Sequence, residues 1–285
     1  MAVIAVIFDF DDTLVPDSTS LLFENHGIDP HRLWTVEAKR LTDEGYDPPL
    51  AYLRLILDRV GPDRELGELT NARLREFGAS LDDKYFPGLP ELFDDLREIV
   101  EPHRDVTVEF YVISGGLEEV IAGSSVIGQY FQGYYGCQFG EDEATGLVSH
   151  VKRCITFTEK TRYLFEINKG IDPGASKTQP HLVNRFVPRE QRRVPFDQMI
   201  YVGDGQTDIP CFSLINDAGG TTFGVFKHDA ESAKQAFQRF LQTDRVKSLH
   251  SPNYASDADL GALLRAAVAT AASKIMLKQE QAGNL

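Results

Sequence analysis

The chain has 285 residues, 42% hydrophobic and 25% charged, which excludes extended disorder and collagen-like repeats and allows one large domain or two smaller ones. Lys+Arg 29 against Asp+Glu 43 leaves a net charge of −14, a balance that repels phosphate backbones and anionic lipid, so neither nucleic acid nor membrane is an expected partner. Three cysteines, Cys137, Cys154 and Cys211, form no Cys-x-x-Cys pair; a disulfide framework or thiolate zinc site is not expected, and a reducing, cytoplasmic setting is.

The apolar, β-branched run at 1–8 predicts a strand buried on both faces, as in a parallel sheet. It lacks a basic flank and ends in Asp9, Asp11 and Asp12, unlike a secretory signal. No stretch is expected to reach the length of a membrane span.

Comparable strands are predicted at 106–113 and 199–202, with a weaker one at 221–226, each followed by a Gly-, Ser- or Asp-rich turn and a helical pattern. Between the first two strands, residues 16–86 read as a helical insertion. Leu50, Leu53, Leu57 and Val60 keep helical spacing, as do Leu66, Leu69, Leu74 and Phe77. Pro87-Gly88 marks a break before a helix that feeds the second strand. Residues 134–139 and 147–151, separated by a Gly-bounded turn, predict a hairpin. Residues 171–197 read as loop with a short helix. At the C-terminus, Leu260, Leu263, Leu264, Ala267, Val268, Ala271 and Ile275 form one apolar stripe behind a Ser256/Asp257 cap, the mark of a helix docked on the core.

Four features could carry chemistry. Asp9-Phe10-Asp11-Asp12-Thr13 follows the first strand, where open α/β sheets bind ligands, and strand alternation sends Asp9 and Asp11 to one side. The plain alternative is an Asp-rich turn capping a helix. Ser114-Gly115-Gly116 closes the second strand and offers a hydroxyl and open N–H groups to an anion, or simply caps the next helix. Lys160 falls in the first turn of a helix capped by Thr158, where a cation opposes the helix dipole unless an anion lies beside it. Gly203-Asp204-Gly205-Gln206-Thr207-Asp208 sets two carboxylates four apart past a third strand, suited to a hard divalent cation.

Taken in order, these four features resemble the motifs of the haloacid dehalogenase-like (HAD) hydrolase superfamily. The insertion after the first motif, the Ser-Gly-Gly of the second and the Phe86-Pro87-Gly88-Leu89-Pro90 return resemble its phosphoserine phosphatase-like branch, which carries a helical cap. The resemblance implies an α/β Rossmann-like parallel sheet of order 3-2-1-4-5 flanked by helices, with a core of 1–15 and 87–285 and a cap of 16–86. It implies Asp9 as nucleophile and Asp11 as general acid and base. Ser114, Gly115 and Lys160 would hold the phosphoryl group. Mg²⁺ would be bound by Asp9, the Asp11 main-chain carbonyl and Asp204, with Asp208 orienting a metal-bound water or Lys160. The expected substrate is a small phosphorylated metabolite. Asp17, Ser18 and Arg54 stand where cap residues could read it. A phosphotransferase or mutase needs the same residues, a silent binding protein of this fold does not, and monomer and homodimer both remain open.

Overall fold

In the computed structural model, which describes residues 1–103, 105–226, 246 and 248–283, seven strands form one sheet. They are β1 (Ala2–Phe8), β2 (Val106–Leu117), β3 (Phe131–Glu141), β4 (Val148–Arg153), β5 (Met199–Gly203), β6 (Thr221–Val225) and β7 (Leu249–His250), in the order β4-β3-β2-β1-β5-β6-β7. All neighbours pair in parallel except the β3–β4 hairpin. Counting β3, β2, β1, β5 and β6 alone gives the expected 3-2-1-4-5, with β4 and the short β7 added at the edges. The part of the expected core at 227–245 lies outside the described residues.

β1 is the middle of this arrangement. From Val3 to Phe8 every residue is buried, because both sheet faces are covered, and a continuous apolar run is the only sequence that can sit there. Phe8 lies level with Val112 on one side and Val202 on the other, so the residues after β1, β2 and β5 emerge together at one edge of the sheet.

Among the described residues twelve α-helices have the following bounds: α1 Ser18–Asn25, α2 Pro30–Arg32, α3 Lys39–Asp43, α4 Pro48–Leu57, α5 Asn71–Ala79, α6 Glu91–Val100, α7 Glu118–Gly123, α8 Ser125–Tyr130, α9 Glu159–Lys169, α10 Pro173–Thr178, α11 Ile209–Asp217 and α12 Asp259–Gly283. Residues 16–86 hold helices and turns. Only part of the second periodic run is helical: Leu66 and Leu69 precede α5, which Thr70 caps by accepting from Arg73 N–H at 3.1 Å.

α5 lies hard against α7. A Cβ on Gly78 would sit 2.0 Å from the Val120 carbonyl oxygen, and one on Gly123 would sit 2.1 Å from that of Arg75. The same segment is tied down by Asp82, whose carboxylate accepts from the Ser124 hydroxyl at 2.7 Å, and by the Tyr85–Ser124 hydroxyl pair at 2.8 Å.

β2 runs through Ser114-Gly115-Gly116 to Leu117 rather than stopping at Ile113, with a register shift against β3 across those residues. β3 joins both the hairpin and the parallel sheet. α12 begins at Asp259, past the expected cap. Its buried face is Leu260, Leu264, Val268, Ala272 and Ile275, laid on α6, whereas Leu263 is exposed. Against expectation, its stretch Asp259–Gln281, which contains an 18-residue window of mean hydropathy 1.5, is long and apolar enough to cross a membrane.

Candidate active site

The chain leaves β1 and turns at once: Leu14 N–H donates to the Phe10 carbonyl at 2.8 Å, with Phe10 and Leu14 both buried beneath the turn. The turn requires a left-handed residue at Asp12 (φ 54°), a conformation that Asp tolerates better than most side chains. Asp9 and Asp11 thereby face a common pocket of about 220 Å³. Asp12, Ser114, Gly115, Gly116 and Asp204 share its wall on the sheet side. Asp17, Trp34, Pro48, Pro49 and Tyr52 face them from the helical insertion.

Lys160 ties three motifs together. It occupies the first turn of α9, is wholly buried, and its Nζ lies 2.7 Å from Asp9 Oδ2 and 2.7 Å from Asp208 Oδ1. The anion that its position at a helix N-terminus requires is thus supplied by two carboxylates of the chain. Thr158 precedes α9, but its hydroxyl caps nothing. Burial works against the ammonium, yet the charges of Asp208 and Asp9 outweigh it and hold the Lys160 pKa well above its ordinary value.

Asp208 is fully engaged. Besides Lys160, its Oδ1 accepts from the Tyr201 hydroxyl at 2.6 Å and its Oδ2 from Gly205 N–H at 2.9 Å. Glycine at 203 makes this possible, since a Cβ there would lie 2.5 Å from the Asp208 carboxyl carbon. Asp9, Asp204 and Asp208 each place one carboxylate oxygen within 4.8 Å of the others, a grouping that could hold a metal ion.

Burial pushes the Asp9 carboxyl up to about 6, with Lys160 pulling against it. Asp204 rises well above the carboxylate range, first by burial and then through the charges of Asp9 and Asp208. Asp11 rises to about 8, because its carboxyl is desolvated and stands beside Asp17; without a cation it carries a proton at neutral pH. Its Oδ1 accepts from Ser18 N–H at 2.8 Å. Its Oδ2 leaves no space for a side chain at residue 116, where a Cβ would approach to 2.3 Å.

Ser114 is buried, and its Oγ accepts from Gly116 N–H at 2.9 Å, which leaves its own proton to donate. Gly115 lines the pocket, and its carbonyl accepts from the Tyr52 hydroxyl at 2.6 Å and the Cys137 thiol at 3.2 Å.

The structure therefore gathers Asp9, Asp11, Ser114, Gly115, Lys160, Asp204 and Asp208 in one place. Asp17 lines the pocket while capping α1, where it accepts from Thr19 N–H at 3.0 Å and from the Ser20 hydroxyl at 2.6 Å. Ser18 is turned to Asp11 rather than to the pocket. Arg54 is not part of the site: two residues beyond Tyr52 on α4, it points away and pairs with Asp58 at 2.7 Å on an exposed face. Sequence reasoning missed Tyr201, which stands in the fourth motif's own strand at an even spacing from Gly203. It also missed Tyr52 and Trp34, for which no local signal exists.

No known protein-family profile matches the chain. A relative in Borreliella burgdorferi, described as an uncharacterized protein, is 28% identical over 278 residues, covering 88% of this chain and 92% of its own. Among solved structures, HAD family hydrolase t0658 from Salmonella enterica subsp. enterica serovar Typhi superposes with a TM-score of 0.54 at 13% identity, covering 89% of this chain and 69% of that one. Gene product AF1437 from Archaeoglobus fulgidus gives a TM-score of 0.53 at 13% identity, covering 94% and 84%. What the chain shares with these structures is the fold, a mostly parallel α/β Rossmann-like sheet flanked by helices.

Proposed function

We propose that the chain is a HAD-family phosphatase of the phosphoserine phosphatase-like branch, with residues 16–86 as its cap, that hydrolyses a small phosphorylated metabolite in the cytoplasm. The observation that carries this reading is the buried Lys160 ammonium held between Asp9 and Asp208, next to a pocket that presents Asp9, Asp11, Ser114 and Asp204. A scaffold that binds without turnover has no use for such a set of mutually repelling carboxylates.

The donor set fits Mg²⁺. Its oxygens are hard, and one ammonium offsets only part of the charge of Asp9, Asp204 and Asp208, leaving Asp204 with a carboxyl that resists ionisation. With Asp208 committed to Lys160, Tyr201 and Gly205, the holders would be Asp9, Asp204 and the main-chain carbonyl of Asp11. Bound there, the ion would neutralise charge on the phosphoryl oxygens.

The chain's own residues then divide the work. The Asp9 carboxylate attacks phosphorus as the ester P–O bond breaks, giving an aspartyl-phosphate. Asp11, whose burial keeps it protonated, donates that proton to the departing alkoxide oxygen. As a carboxylate it next takes a proton from water, which attacks the phosphoryl group, releases phosphate and restores Asp9. Lys160, Ser114 and Gly115 N–H stabilise the transferring oxygens. Trp34, Pro48, Pro49 and Tyr52 line the side of the pocket where the leaving group would sit.

The test is release of inorganic phosphate from an aryl phosphate with no acceptor present. Asp9→Asn is expected to abolish it while the circular dichroism spectrum is unchanged. Undiminished release by that variant removes Asp9 from the nucleophile role, and release that depends on an added acceptor alcohol points to phosphotransfer instead.

A further inference from the structure

The carbonyl of Gly115, a residue of the pocket wall, takes two donors, the Tyr52 hydroxyl from α4 and the Cys137 thiol from β3. Cys137 has a second cysteine beside it. In the antiparallel β3–β4 ladder Gln138 faces Arg153, the last residue of β4, and the same register carried one residue further would set Cys137 against Cys154. The ladder's end is closed by Ile155 N–H, which donates to Cys137 Sγ at 3.2 Å and so draws the main chain around Cys154 onto that sulfur. Directly opposed residues of antiparallel strands have Cα atoms about 4.5–5.5 Å apart, inside the roughly 4.4–6.8 Å window of a disulfide.

We infer that Cys137 and Cys154 form an oxidisable dithiol whose disulfide withdraws a support from the Gly115 loop and lowers turnover. The reagent class is a peroxide. With the pair's first proton lost and the remaining one passing to Cys137, the sulfur of partly buried Cys154 attacks one peroxide oxygen, the O–O bond breaks, a sulfenic acid forms, and the departing hydroxide regains the lost proton as water. Cys137 sulfur then attacks the sulfenic sulfur, the S–O bond breaks, and the departing hydroxide takes up the thiol proton as a second water. Two thiols lose two electrons and two protons, and peroxide becomes two waters. The sulfurs hydrogen-bond to one another, which lowers the Cys137 pKa and raises that of Cys154, so the pair yields its first proton readily and its second reluctantly. Once Sγ of Cys137 is bonded to Cys154 its S–H is gone. Gly115 then keeps Tyr52 alone as its side-chain donor.

The effect on turnover rests on the phosphatase reading, whereas bond formation can be read without it. All three cysteines are free. Peroxide treatment of the full chain should therefore consume two of the three thiols and leave Cys211 alkylatable. Mass should fall by two hydrogens, and a peptide should join residues 137 and 154, reversibly with dithiothreitol. Aryl phosphate turnover should fall about tenfold in step with the crosslink, and Cys154→Ser, equally active before treatment, should keep its activity. Oxygen adducts without a crosslink, or equal inactivation of Cys154→Ser, would overturn the inference. A full crosslink with unchanged turnover would overturn its effect on the site. Absence of any aryl phosphate turnover before treatment would instead count against the phosphatase reading.

Discussion

Replacing Lys160 by Met tests the heart of the site. Methionine keeps most of the stem volume, so the change removes the ammonium with little cavity cost. Lys160 is fully buried, and its Nζ is 2.7 Å from both Asp9 Oδ2 and Asp208 Oδ1. Removing one partner of a buried ion pair costs about 3–5 kcal/mol, because an uncompensated charge stays behind. Asp208 would keep the Tyr201 hydroxyl and Gly205 N–H, and Asp9 would keep Phe10 N–H, which argues for the lower end, about 3 kcal/mol. At roughly 2–4 °C per kcal/mol for a chain of this size, the thermal midpoint in EDTA should fall by about 6–12 °C. Adding Asp208→Asn should recover part of the loss by removing one stranded charge. Turnover should fall about 10²–10³-fold, the cost of one lost donor to a developing anion. A Lys160→Met midpoint within about 1 °C of the parent would refute the claim that this ammonium offsets the buried carboxylates.

Chelation of Mg²⁺ should stop phosphate release reversibly; activity that survives exhaustive EDTA treatment contradicts the metal assignment. Asp11→Asn should slow esters of poor leaving alcohols far more than a nitrophenyl ester, which needs little protonation; an equal loss on both would remove Asp11 from the acid role. Arg54→Ala should leave kcat and KM of any substrate unchanged, since that side chain pairs with Asp58 on the exposed face of α4, and a raised KM would return it to the site.

The sheet was legible where strands are buried on both faces. β1 and β5 admit no charged residue, and only the Tyr201 hydroxyl is polar, so their sequences advertise them. β3 did not, because Gln132, Gly133, Gly136, Gln138 and Gly140 interrupt it; its turn revealed the hairpin but not the parallel pairing with β2. The aspartate motifs and Lys160 were legible because each sits within a few residues of a strand end or helix start, where local rules fix direction. The pocket's far wall obeys no such rule. Trp34 and Tyr52 reach it through the packing of the inserted helices, while Arg54, two positions from Tyr52, is carried to the opposite side by helical geometry alone. The apolar stripe of α12 was placed correctly in phase, but its edge at Leu263 faces out.

The glycine contact between α5 and α7 limits which part of the inserted segment is free to swing. With Gly78 pressed on the Val120 carbonyl and Gly123 on that of Arg75, the two helices mesh backbone to backbone, and sliding either one would drive main-chain atoms into each other. α5 is thereby fixed to the core as an anchorage, whereas α4, which brings Tyr52, meets the core through a side-chain hydrogen bond, that of the Tyr52 hydroxyl to the Gly115 carbonyl. A single methyl group at residue 78 would pry that anchorage loose without touching a reacting atom.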